Sequence, residues 1–299
     1  MTTSSFTKKR IQVWLTLGQG AFGEGKGNTK IIDGLRVDCM VEKSGHPSKN
    51  KCKLRIYGML EHDMTELTQP EFAPLAVRKN LIKVFAGDVD PLPVAYAGNI
   101  TGAWAVYHSP PNLYFHIEAL EGYYPAVAPA PAKSYSGATD VSSVMKRLAA
   151  EMGYEFEDGG VSTMIASPYL SGSAYQQASQ LAEAANLEFG IDDGTLFIAP
   201  RGAPRGGASG NAVLLSPSTG LKGYPVLGKK GLSLECLYNP TLKLGGLVKV
   251  ESMLPATSGV WRVTALHHHL ESEHPGGKWL SKLKTARVTG ASSTSEEVD

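Results

Sequence analysis

Residues 10–17 read RIQVWLTL, and their alternation is strict: Ile11, Val13, Leu15 and Leu17 share one face of an extended chain, while Arg10, Gln12 and Thr16 share the other. A period of two marks a half-buried β-strand, because successive side chains point to opposite faces of a sheet. Two nearby stretches repeat it. LRVDCMVE (35–42) turns Leu35, Val37, Cys39 and Val41 inward, and KCKLRIYG (51–58) turns Cys52, Leu54 and Ile56 inward against Lys51, Lys53 and Arg55. Three antiparallel strands are the economical reading. EHDMTELT (61–68) predicts a short helical turn, and NLIKVFAG (80–87), LPVAYAGNITGAWAVYHS (92–109) and NLYFHIEALEG (112–122) predict further strands. With 33 glycines and 18 prolines to supply turns, residues 8–125 are expected to form one antiparallel barrel or sandwich.

The pattern then changes. YYPAVAPAPAKSYSG (123–137) has the Pro and Ala content of an extended linker. Beyond it Val141, Val144, Met145, Leu148 and Met152 recur at helical spacing, with Thr139 or Asp140 placed to cap the first turn. A second helix is expected from Ser173, where Gln176 completes a capping box, through Tyr175, Ala178, Leu181 and Ala185 toward Asn186. LEFGIDDGTLFIAP (187–200) predicts two short strands around an Asp-Asp-Gly turn, which makes residues 134–200 a small α/β module. RGAPRGGASGN (201–211) is a connector by composition. GLSLECLY (231–238), a hairpin in TLKLGGLVKVES (241–252) turning at Gly245 and Gly246, GVWRVTALHHHLES (259–272) and KWLSKLKTARV (278–288) predict a second β domain over residues 205–290. The polar tail, residues 291–299, is expected to be disordered.

Composition narrows the functional classes. The chain is 42% hydrophobic and 19% charged, and its 29 Lys plus Arg against 28 Asp plus Glu leave a net charge of +1, which gives no global electrostatic footprint for nucleic acid. No apolar run approaches the ~20 residues of a membrane span, so stable membrane insertion is not expected. MTTSSFTKKRIQ at the start has no apolar core of a secretory signal, and synthesis in a cytoplasm is the default. Cys39, Cys52 and Cys236 are far apart, form no C-x-x-C and fall at inward strand positions, as reduced core residues do.

Three motifs point toward chemistry and each lacks its complement. WLTLGQGAFGEGKGNTK (14–30) contains G-x-G-x-x-G in Gly18, Gly20 and Gly23, with Lys26 beyond, the loop with which a kinase covers phosphates. The rest of a kinase is missing: His62 and Asp63 occur without the Arg or Asn of a catalytic loop, and Gly25 stands where a valine is needed. Gly27 replaces the Ser or Thr of a Walker A motif. His267 and His269 form an H-x-H pair on one strand face, with His268 opposite and His274 or Glu271 in reach as a third ligand, yet no second cluster supplies a base, and a strand end with solvated or hydrogen-bonded histidines is the simpler reading. Ser143 and Lys146 make an S-x-x-K without its S-D-N and K-T-G partners. No catalytic, cofactor-binding or metal residue is assigned; the alternative is a metal-dependent hydrolase built on His267 and His269.

Several phrases in this order resemble one family: RIQVWLTL with IIDGLRVDCMVEKS, CKLRIYGM leading into MTEL, IKVFAGDV before YAGNITGAWAVY and LYFHIEALEG, then VSSVMKRLAAEMGYEF, SAYQQASQLAEAANLEFGIDDGTLFIAP and GLSLECLYNPTLKLGGLVKVES with GVWRVTALHHHLESEHPGGKW. Together they are similar to the baseplate hub proteins of contractile phage tails, related to the hub part of bacterial contractile injection systems. The resemblance covers most of residues 10–290, and places a structural histidine cluster at His267 to His269 before Gly277 and Trp279. It implies a mainly β chain of two tail-tube-like barrel domains plus the α/β module. It further implies a homotrimeric ring in the virion, assembled in the bacterial host cytoplasm, which adapts the sixfold tail tube to the threefold spike and forms part of the DNA channel. Tail tube protein, central spike, tape measure and baseplate wedge proteins are the implied partners, and no enzymatic activity or cofactor is implied.

Overall fold

A computed structural model of the chain describes residues 8–22, 27–68, 79–107, 113–207 and 211–288. The alternating segments are strands. In β1 (Arg10–Thr16), β2 (Thr29–Ile32), β3 (Val37–Lys43) and β4 (Lys51–Tyr57), Ile11, Val13, Leu15, Val37, Cys39, Val41, Cys52, Leu54 and Ile56 are all buried. Fully burying such a side chain contributes about 2 kcal/mol relative to leaving it exposed. The helix α1 (Glu61–Leu67) follows, burying Met64 and Leu67, and then β5 (Leu81–Gly87), β6 (Val94–Tyr107) and β7 (Leu113–Leu120).

The expected linker is partly regular. Its first residues form α2 (Tyr123–Val127), entered through Gly122 at φ 66°, and Pro125 is tolerated there because first-turn N–H groups have no intrahelical acceptor. Its later residues include β8 (Lys133–Ser134), and β9 (Ala138–Asp140) follows directly after the linker. The helix α3 (Val141–Met152) is capped by Asp140, whose carboxylate accepts the Ser143 N–H. The strands β10 (Glu155–Asp158), β11 (Met164–Ala166) and β12 (Tyr169–Leu170) lead to α4 (Ala174–Ala184), where Ser173 and Gln176 form the expected capping box. Asn186, at φ 53°, turns the chain out of α4 into β13 (Leu187–Asp192) and β14 (Thr195–Pro200). Met145, Leu148, Leu181 and Ile198 pack in one cluster between the helices and the β10-β14-β13 sheet.

The last third contains β15 (Val213–Leu215), β16 (Leu221–Gly228), β17 (Gly231–Leu237), β18 (Leu247–Val250), β19 (Gly259–Ser272) and β20 (Trp279–Arg287). The hairpin expected at Gly245 and Gly246 is not formed. Gly245, at φ 76°, directs its carbonyl to the Arg205 N–H and its own N–H to Val263, so Leu242 and Leu244 are buried without strand pairing. Instead β15 pairs in parallel with β18.

The strand order is the main departure from expectation. One sheet runs β16-β17-β20-β19-β3-β4-β7-β6-β5-β1-β2, so β1 pairs with β2 and β5 rather than with β3. The N-terminal and C-terminal strands meet at β19 and β3, paired antiparallel from Leu266 opposite Lys43 to Ser272 opposite Val37. Among the described residues this path has two ends and closes no barrel. Two apolar clusters flank the seam: Leu270 belongs to the one under the N-terminal strands, and Leu266 to the one under the C-terminal strands.

Candidate functional site: the polar face and seam of the sheet

The outward residues of β19 lie at the middle of a charged lattice. His267 stands between Glu42 of β3 and Lys282 of β20. Glu42 bonds onward to Lys51 at 2.6 Å, and Lys282 to Glu235 at 3.5 Å. One row along, His269 faces Met40, beyond which Lys53 bonds Glu118 at 2.7 Å. In the next row Glu271 faces Asp38, Asp38 faces Arg55, and Arg55 faces His116. Opposite charges across strands stabilise by roughly 0.2–1 kcal/mol per pair, and here they leave the face polar with neither sign dominant. A groove of about 410 Å³ runs over it, lined by Met40, Glu42, His267, His269, Lys278 and Lys282 among others.

The three histidines divide between the two faces of β19, and a bulge between Val263 and Ala265 reverses the phase set by the buried Trp261 and Val263, so that His268 rather than His267 and His269 turns inward. His268 points inward and is 4% exposed, at the seam where β19 passes from one core to the other. Its Nδ1 lies 2.8 Å from Ser281 Oγ, and its ring packs edge-on against Tyr238. Burial, with the Lys43 charge adding, pushes its pKa down to about 3, which keeps the imidazole neutral. His269 Nε2 lies 3.2 Å from Asp38 Oδ1, with Glu271 beside them. His267 is not in that group, and neither is His274.

The inward end of β3 carries a lysine that the sequence reading passed over. Lys43 is 2% exposed, and its Nζ reaches Asp192 and Asp193 in the Asp-Asp-Gly turn of the module. Asp192 also accepts Arg205 Nη1 at 2.6 Å, and Arg205 bonds Glu157 at 2.9 Å. Close by, Glu121 accepts N–H groups from Asn50 at 2.8 Å and Gly194 at 3.0 Å. Burial, with Asp192 and Asp193 adding, pushes the Glu121 carboxyl up to about 8. This cluster clamps the module to the sheet. The available signal was Lys43 itself, a charge at the inward phase of Val37, Cys39 and Val41. A cleft of about 680 Å³ beside it is lined by His46, Arg201 and Arg262 among others, and Arg262 is held by Glu188 while His46 lies 3.3 Å from Ser179 Oγ.

The other sequence candidates are not brought together. Gly18 and Gly20 lie between the antiparallel β1 and β2, and a Cβ at Gly18 would meet the Lys79 carbonyl at 2.6 Å, so close backbone packing accounts for that glycine; Gly23, Gly25 and Lys26 lie outside the described residues. Ser143 donates its hydroxyl to Asp140 within the helix cap, and Lys146 is exposed. Asp63 pairs with Lys30 at 2.7 Å, and His62 is exposed. All three cysteines are buried free thiols, with Cys39 and Cys52 Sγ atoms 3.8 Å apart. Among the described residues no helix is long and apolar enough to cross a membrane.

Comparison with known proteins agrees with this architecture. A tail protein from Neisseria meningitidis MC58 superposes with a TM-score of 0.61 at 10% identity, covering 94% of this chain and 97% of its own. The 43 kDa tail protein of prophage MuSo2 from Shewanella oneidensis gives 0.58 at 10% identity over 92% and 96%. The E. coli c3393 protein, described as a type VI secretion component structurally similar to the T4 tail proteins gp27 and gp5, gives 0.54 at 10% identity over 86% and 74%. At such identities these likenesses establish the fold alone. No curated relative matches the sequence. The profile of the family described as baseplate hub gp41 matches residues 10–275, most of both strand sets and the whole module. This chain belongs to the baseplate hub gp41 family.

Proposed function

We propose that the chain is a structural hub without turnover, three copies of which close into a ring at the distal end of a phage tail, adapting a sixfold tube to a threefold spike around a passage for DNA. The observation that carries this reading, beside family membership, is the open-ended sheet whose terminal strands are β2 and β16. An edge strand leaves N–H and C=O groups unpaired, and a contact between unlike edges of successive copies satisfies both while closing a ring. Residues 8–125 and 205–290 are taken as the two tube-like units of each chain, six per ring, with 134–200 as the clamped module beside them.

The polar face is the surface assigned to the passage. Its alternating charges offer no basic stripe on which a polyanion would be retained, in keeping with the net charge of +1. Tail tube protein above and central spike below are the principal partners, with tape measure and wedge proteins as further ones, and the virion tail, assembled in the host cytoplasm, is the location. The structural neighbours, two tail proteins and one secretion component likened to gp27 and gp5, support a place at a tube and spike junction. Imaging of purified tails by cryo-electron microscopy tests the reading: threefold density for this chain at the tube end supports it, and absence from the tail refutes it. The hydrolase reading of His267 and His269 lacks a partnership between them, since His267 faces Glu42 and Lys282.

A further inference from the structure

Asp38, His269 and Glu271 each bring one ligand atom to a common point on the polar face, all within 4.8 Å of one another. We propose that they bind one first-row divalent cation, zinc in preference to magnesium or calcium. The donors come from adjacent strands: Glu271 stands directly opposite Asp38 in the β19–β3 register, and His269 is two residues back on the same face. Two carboxylates directly opposite each other repel, and a cation between them reverses the sign of that interaction.

The geometry fits. Two ligands at ordinary zinc distances and a tetrahedral angle stand about 3.3 Å apart, and His269 Nε2 lies 3.2 Å from Asp38 Oδ1. The cation takes the place of the proton between them. Glu271 is oriented by its surroundings: one carboxylate oxygen accepts the Lys278 N–H at 2.7 Å, which steadies the group, and Gly277 leaves the room it needs, because a Cβ there would lie 2.9 Å from the Glu271 Cβ. Such outer bonds fix metal ligands in position. Arg55 lies 3.7 Å from the other Asp38 oxygen, not the one that faces His269. His269 also lines the groove over this face, and water from it would complete a fourfold set. One imidazole with two carboxylates favours zinc over the harder alkaline-earth ions.

This set is hidden in the sequence, where the H-x-H spacing pairs His267 with His269 while Asp38 is 231 residues from His269 along the chain. The site lies within one chain and holds whether or not the ring forms. The test is calorimetric titration of the untagged, chelator-treated chain with zinc chloride. The expected result is about one equivalent at micromolar affinity, weakened about tenfold or more by His269→Ala and by Asp38→Asn and unchanged by His267→Ala. Zinc should also raise the melting temperature of the wild type and not that of His269→Ala, since a ligand of the native state stabilises it. No binding at about 1 mM zinc, equal affinity in His269→Ala, or loss through His267→Ala instead would overturn the assignment. If Asp38→Asn does not fold, the wild type and His269→Ala, whose side chain is 30% exposed, decide it.

Discussion

Lys43 Nζ lies 2.8 Å from Asp192 Oδ1, and the contact joins a strand at the middle of the sheet to the turn of the α/β module. Both side chains are withdrawn from water, and removing the lysine leaves Asp192 with Arg205 alone and Asp193 without its cation. Lys43→Met should therefore lower unfolding free energy by about 3 kcal/mol. Urea titration followed by tryptophan fluorescence measures it, and a loss below about 1 kcal/mol would show that the pair is dispensable.

Glu121 gives the same cluster a pH dependence. Its carboxyl titrates at about 8 in the fold against an ordinary 4.5, because burial and the neighbouring Asp192 and Asp193 disfavour its charge, partly offset by Lys43 and the Gly194 N–H. Between those values the folded chain holds a proton that the unfolded chain has released, so this group's contribution to stability is full below about 4.5 and falls as pH rises toward 8. Glu121→Gln cannot ionise. Its stability relative to wild type should improve steadily from pH 5 to pH 8, by roughly 1 kcal/mol per pH unit, and a pH-independent difference in urea midpoint would contradict the shift.

His268 acts in the opposite direction. Its imidazole is held neutral to about pH 3 against an ordinary 6.5, so the stability it contributes is present above 6.5 and is lost as the pH falls toward 3. Nitrogen chemical shifts of the labelled rings should leave His268 neutral at pH 5. Titration near 6.5 in the folded chain would mean that the seam is open to water.

Gly18 and Lys26 separate packing from phosphate binding. Gly18→Ala forces a Cβ against the Lys79 backbone and should cost about 1–3 kcal/mol, while Lys26→Ala should leave assembly unchanged and the wild type should show no saturable ATP binding. ATP binding abolished by Lys26→Ala would restore the nucleotide reading.

Strand identity was legible wherever one face is apolar and the other polar, as in β1, β3 and β4, and helix starts were legible where Asp140, Ser173 and Gln176 cap them. Strands without that contrast were missed. β10 is Glu-Phe-Glu-Asp and β16 carries Gly223 and Pro225, residues that suit an edge and hide its period. The polar face was half legible: the period put His267 and His269 on one face and His268 on the other, but continuing the phase of Trp261 and Val263 would turn His267 and His269 inward, and the bulge between Val263 and Ala265 reverses it. Register was not legible, because the pairing of β19 with β3 joins residues more than 200 positions apart, and only that pairing brings Asp38 beside His269.

The proposed ring is tested most directly by mass at high concentration combined with imaging. Analytical ultracentrifugation of the purified chain, with two-dimensional class averages of the same sample and of tails, should give a trimer or a monomer–trimer equilibrium and a threefold ring with a central opening, sharpened when tube and spike proteins are present because partners that bind only the ring favour it. A chain that stays monomeric with both partners present, and that is missing from purified tails, would contradict the hub.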